Sequence, residues 1–205
     1  MFSSAASLPD GTLSTIKATD DRFAASRLEQ VFSECFTGRW RTRLLGGASE
    51  PYYQPATDSR GIHLLYYRSD YFASALHEAA HWCIAGERRR QMPDFGYWYA
   101  PDGRDSAQQA AFEAVEAKPQ ALEWLFSLAC GYRFRISVDN LSLTRDCEPD
   151  NGPFRRAVLS RARAWQRDGL PARADILFRA LVREFETGLQ CESLKLDLAG
   201  LRECR

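Results

Sequence analysis

The segment His77-Glu78-Ala79-Ala80-His81 sets two imidazoles four residues apart around a carboxylate. On a helix that spacing puts both rings on one face, close enough to share one ion. The chain holds three histidines, and two of them fall here. Leu76, Ala79, Ala80, Trp82 and Ile84 make the segment apolar, so it reads as substantially buried. Two imidazoles and a carboxylate buried without partners would be costly. A bound cation removes that cost by taking up the lone pairs and balancing the charge. His77 and His81 are therefore expected to hold a metal.

A catalytic metal needs a third protein ligand and an open position. No histidine follows between Cys83 and Arg90, and His63, on a predicted strand, reads as packed or exposed rather than ligating. The acidic residues of Phe112-Glu113-Ala114-Val115-Glu116-Ala117-Lys118 are better candidates. Phe112 and Val115 form an apolar side, while Glu113, Glu116 and Gln120 share another face if the helix continues through Pro119. Glu116 is the expected third ligand and Glu113 its reserve. Two histidines and a carboxylate suit either zinc or non-haem iron(II). With zinc, Glu78 would be the general base that activates water. With iron, it would be a hydrogen-bond partner or proton acceptor.

These residues must be positioned by the surrounding elements. Residues 1–20 read as a flexible leader, and 21–205 as a single catalytic domain. Phe23, Leu28, Val31, Phe32 and Cys35 mark a first helix ending near Gly38. Thr42 to Leu45 and Ile62 to Tyr67 read as strands, with a connecting loop around Gly46, Gly47 and Pro51 to Pro55. The metal helix spans about Tyr71 to Ala85, capped by Asp70 or Ser69 and stopped at Gly86. The arginines that follow, Arg88 to Arg90, suit the negative end of its dipole. An aromatic loop, Pro93 to Arg104, closes at the turn Pro101-Asp102-Gly103. Helices are predicted at Ser106 to Ala117, Pro119 to Cys130, Phe154 to Arg167 and Pro171 to Thr187, with a strand from Arg133 to Val138. The fold class is α+β: one compact, helix-rich domain with a small sheet.

Composition sets outer bounds. The 205 residues fit one domain, and 27 basic against 27 acidic residues offer no overall charge argument for nucleic acid or an anionic membrane. The six cysteines show no C-x-x-C spacing, so zinc-ribbon and thioredoxin motifs are absent. Without a secretory signal or a long apolar run, a cytoplasmic location with free thiols is expected.

Longer motifs carry a resemblance. Tyr71-Phe72-Ala73-Ser74-Ala75-Leu76-His77-Glu78-Ala79-Ala80-His81-Trp82-Cys83-Ile84-Ala85-Gly86 resembles the elongation factor P hydroxylase family. So do Asp94-Phe95-Gly96-Tyr97-Trp98-Tyr99, Pro101-Asp102-Gly103-Arg104-Asp105, and Phe112-Glu113 through Lys118-Pro119-Gln120-Ala121-Leu122-Glu123-Trp124. Gly131-Tyr132 and Asp139-Asn140-Leu141 add to it, and the likeness runs over about residues 27 to 187. It implies an oxygen-using hydroxylase of the β-lysylated lysine of elongation factor P, with iron(II) at His77, His81 and Glu116 and a fold like the YbeY metal-dependent endoribonucleases. Zinc could replace iron in a purified sample. No membrane and no direct nucleic-acid contact are expected. No H-x-D pair occurs, so 2-oxoglutarate is not proposed. On this reading Tyr97 and Tyr99 of the aromatic loop line a channel for the lysyl chain, using ring faces for its stem and ammonium. Asp94 and Asp105 pair with its amines, whereas turn formation accounts for Asp102.

Three rivals remain: a zinc peptidase of the H-E-x-x-H type, a metal-dependent ribonuclease suggested by fold analogy alone, and a binding module with structural zinc.

Overall fold

Alternating and helical apolar patterns assemble here around one long helix. The computed structural model describes residues 21–58, 60–96, 105–137 and 152–201. In chain order these contain α1 (Ala25–Trp40), β1 (Thr42–Ala48), β2 (Tyr52–Gln54), β3 (His63–Arg68), α2 (Phe72–Ile84), α3 (Ser106–Cys130), α4 (Gly152–Asp168) and α5 (Ala172–Glu184). The helix-rich architecture with a small sheet matches the α+β expectation. The predicted leader, Tyr97, Tyr99, Asp102 and Asp139 to Leu141 lie outside the described residues.

The sheet order is β1-β3-β2. β1 runs parallel to β3, pairing Thr42 with His63 and Leu44 with Leu65. β2 runs antiparallel, pairing Tyr53 with Leu65. Gly46 permits a close crossing: a Cβ there would lie 2.6 Å from the Tyr67 hydroxyl and 2.8 Å from Ser69 O. The Gly46 N–H and the Tyr67 hydroxyl both donate to Glu29 Oε1, at 2.7 and 2.9 Å.

α2 touches β3, α1, α3 and α5. Its Trp82 is fully buried against Phe32 and Phe36, with ring centroids 5.2 and 4.6 Å apart. This aromatic packing fixes the rotation of α2 and so decides where its histidines face.

Several predicted boundaries are corrected. α1 continues through Gly38 to Trp40, and Arg41 closes it in the left-handed region (φ 47°). α2 begins after Tyr71 with no side-chain cap, so neither Ser69 nor Asp70 serves that role, and it ends before Gly86, at Ile84. The arginine expectation holds at Arg90, whose Nη1 donates to Ala85 O at 2.7 Å. Arg173 from α5 also caps this end, donating to Trp82 O, Cys83 O and Ala85 O.

The two helices expected on either side of Pro119 are one helix, α3. An interior proline costs a helix about 3 kcal/mol. Here Ala121, Leu122, Trp124, Leu125, Phe126, Ala129 and Cys130 are all buried beyond it, and that apolar burial outweighs the lost bond. An Asp105–Gln108 capping box starts α3 and Gly131 (φ 68°) ends it. Of the strand expected at Arg133 to Val138, the described residues 133–137 hold a single bridge, at Ile136, and Val138 lies outside the described residues. Phe134 and Ile136 are buried as alternation implied, but Phe134 stacks on Trp124 of α3, not on a strand neighbour.

Cys35, Cys83, Cys130 and Cys191 are free thiols. Among the described residues no helix is long and apolar enough to cross a membrane.

Candidate metal centre

α2 and α3 pack side by side, and each contributes half of a polar cluster inside their apolar contact. From α2, the rise of one turn sets His77 and His81 on the face turned to α3. Their Nε2 atoms lie 3.0 Å apart. From α3, Glu116 brings one carboxylate oxygen to 3.5 Å from His77 Nε2 and the other to 3.4 Å from His81 Nε2. Glu116 is 3% exposed. One ligand atom from each of the three residues falls within 4.8 Å of the others. Two imidazole nitrogens and a carboxylate oxygen converging on one point are donors that suit zinc or iron(II).

Sequence reasoning missed a fourth participant. Glu123 lies two turns beyond Glu116 on α3, and its Oε2 sits 2.8 Å from His77 Nδ1. That contact fixes the ring and makes Nδ1 the protonated nitrogen, leaving Nε2 to face the cluster. The available signal was the seven-residue spacing of Glu116 and Glu123, which places them on one face only if the helix runs through Pro119.

The electrostatics point the same way. Burial works against charge on His77, but the hydrogen bond and charge of Glu123, aided by Glu116 and Glu78, prevail and push its pKa up to about 10. Burial raises the Glu78 carboxyl, opposed by His77 and His81 and reinforced by Glu116 and Glu123. Burial likewise raises Glu123, opposed mainly by His77. A proton on His77 Nε2 would point between the second imidazole and the Glu116 oxygens. The cluster thus favours positive charge at the point where its ligand atoms converge, and a divalent cation meets that demand better than a proton.

The other predicted residues lie elsewhere. The reserve ligand Glu113 accepts from Gln109 Nε2 at 3.1 Å and stays out of the cluster. Asp94 Oδ1 accepts the Tyr53 N–H at 2.8 Å, tying its turn to β2. Phe95, from the same aromatic loop, is buried and stacks on Tyr53 at 4.3 Å. Asp105 accepts the Gln108 N–H as the cap of α3. His63 is packed, as expected: its Nδ1 accepts from the Ala56 N–H at 3.1 Å, with the Tyr53 hydroxyl also at 3.1 Å. A cavity of about 550 Å³ reaches His81 from the side of Ile84, Gly86, Arg88 and Lys118.

The family described as Elongation factor P hydroxylase matches residues 31–195. A protein of Haemophilus influenzae named Elongation factor P lysine hydroxylase is 43% identical over 168 residues, spanning 82% of this chain and 93% of that protein.

Proposed function

The chain belongs to the elongation factor P hydroxylase family, and from that premise we propose that it hydroxylates elongation factor P on the β-lysylated lysine, using iron(II) and molecular oxygen. Hydroxylation makes it an oxidoreductase. The observation that carries the metal assignment is the convergence of His77, His81 and Glu116 at the α2–α3 contact.

Iron(II) suits this donor set and would supply the redox chemistry through which molecular oxygen is used. The reaction puts one oxygen atom into a lysyl C–H bond as C–OH. The other leaves as water, taking two electrons from an external reductant and two protons, which makes the activity that of a monooxygenase. His77 and His81 would hold the ion through Nε2 and Glu116 through a carboxylate oxygen. Glu123 holds the His77 ring. Glu78, whose carboxyl burial raises, is the proton-handling group beside them. The aliphatic stem of the lysyl chain reaches the centre along the cavity at His81. Asp94, Tyr97, Tyr99 and Asp105 remain proposed contacts for its amines and stem, and both carboxylates also serve local structure, Asp94 in its turn and Asp105 as the cap of α3.

A cytoplasmic protein of one catalytic domain, with residues 1–20 as leader, fits a partner that works in translation. The helix-rich α+β fold with a small mixed sheet is compatible with the YbeY-like class. Neither the zinc-peptidase nor the ribonuclease alternative is favoured, because the family match extends far beyond the H-E-x-x-H segment.

Mass spectrometry of elongation factor P from cells with and without this protein tests the proposal. The expected result is loss of one oxygen atom's mass from the modified lysine. An unchanged mass overturns it. Activity of anaerobically purified protein with zinc alone, without oxygen consumption, overturns the iron assignment.

A further inference from the structure

Next to the cavity at His81 lies a second cavity, of about 610 Å³, walled by cations from four helices and a turn. Arg39 comes from α1, Lys118 from α3, Arg161 from α4 and Arg173 from α5, and Arg90 follows α2. Glu87 is the one carboxylate in the lining. Ile84, Ala85, Gly86, Glu87 and Lys118 border both cavities, so the basic cleft and the approach to His81 form one continuous surface. None of the five cations makes an ion pair within the described residues. Arg90 and Arg173 hold the carbonyls at the end of α2, yet Arg173 Nε is buried without a hydrogen-bond partner.

Five cations against one carboxylate attract carboxylates, and Arg88, Arg89 and Lys118 carry the same sign of charge to the rim of the cavity at His81. The cleft suits carboxylates on the surface that presents the side chain being modified. Nucleic acid fits less well. Arg39 lies 4.8 Å over Trp40 and Arg161 5.7 Å over Trp165, so guanidinium groups cover ring faces that bases would need for stacking. Building on the proposed function, we propose that this cleft docks an acidic surface of elongation factor P flanking the lysine that enters at His81.

The test uses metal-loaded protein and purified elongation factor P carrying its modified lysine. Arg39→Glu/Arg161→Glu is compared with wild type and with Arg39→Lys/Arg161→Lys, leaving the residues that cap α2 intact. Binding is read by calorimetry at low and physiological ionic strength, and KM and kcat are read separately. Charge reversal is expected to weaken binding and raise KM roughly tenfold or more, flatten the salt dependence, and leave kcat and metal content unchanged. The lysine double variant should stay within a few-fold of wild type. If charge reversal fails to fold, Arg39→Glu and Arg161→Glu are measured singly, with the same direction expected.

Unchanged binding and KM in a charge-reversed protein overturn the cleft assignment while leaving the hydroxylase reading intact. Salt-sensitive, Arg39- and Arg161-dependent binding without turnover in wild type overturns the hydroxylase reading and supports the cleft. Loss of binding to a short single-stranded RNA, with elongation factor P binding unaffected, reassigns the cleft to nucleic acid and overturns the proposal.

Discussion

Glu123 Oε2 lies 2.8 Å from His77 Nδ1, on the side of the ring away from the atoms that converge with His81 and Glu116. One imidazole thus links a carboxylate that orients it to the carboxylate with which it would bind an ion. Removing the orienting partner should weaken the centre without deleting a ligand. We expect Glu123→Ala to reduce metal affinity roughly 10- to 100-fold, and Glu123→Gln, which can still accept from Nδ1–H, to lose less. Competition with a calibrated chelator measures both. Equal affinity in wild type and Glu123→Ala would refute the orienting role.

Glu116 and Glu113 should separate cleanly. Glu116→Gln removes the carboxylate charge 3.4 Å from His81 Nε2 and is expected to leave the dialysed protein largely without metal. Glu113→Gln alters only the contact with Gln109 and should retain metal within a few-fold of wild type. Metal content by elemental analysis decides the matter. The reverse ranking would move the ligand to Glu113.

The metal-free protein should lose stability as pH rises. The His77 pKa is raised to about 10 in the folded state, above the unfolded value near 6.5. Its protonated form therefore stabilises the fold fully below about 6.5, and that contribution disappears as pH climbs through the folded value. Glu78 and Glu123, raised by burial, act in the same direction. Metal binding displaces the proton, so affinity should increase across the same window. Thermal melts of the metal-free protein from pH 6 to about pH 9 should show a falling Tm, and a Tm that rises over this range would contradict the assignment.

The end of α2 offers a test of stability apart from the site. Arg173 donates to three carbonyls there, and Arg173→Gln should cost about 1–3 kcal/mol. Chemical denaturation gives the value, and metal affinity should change far less than stability.

Much of the centre was legible in local spacing. His77 and His81 follow from a four-residue repeat in an apolar segment, and Glu116 from an acidic pair on a predicted helix. Glu123 was not, because Pro119 reads as a helix boundary and places Glu123 on a separate element. Only the apolar surface buried by residues 121 to 130 explains why the helix continues. β2 was obscured for a related reason. Pro51 and Pro55 mark its segment as loop, yet Tyr53 is buried there and pairs with Leu65. After Gly131 the alternation at Phe134 and Ile136 records burial, with Phe134 stacked on Trp124 of α3. In each case local propensity was overridden by a tertiary neighbour that spacing alone does not reveal.

Both halves of the centre are carried by rods, α2 with its imidazoles and α3 with its carboxylates. Neither helix could hold an ion alone, and among the described residues the cluster draws its ligand atoms from these two helices. Its geometry therefore has one main adjustable coordinate, the spacing and register of two packed helices. Loops around the rim could diversify to follow a changing partner while the helix pair that would hold the ion keeps its register. Recognition and chemistry can then evolve on separate clocks.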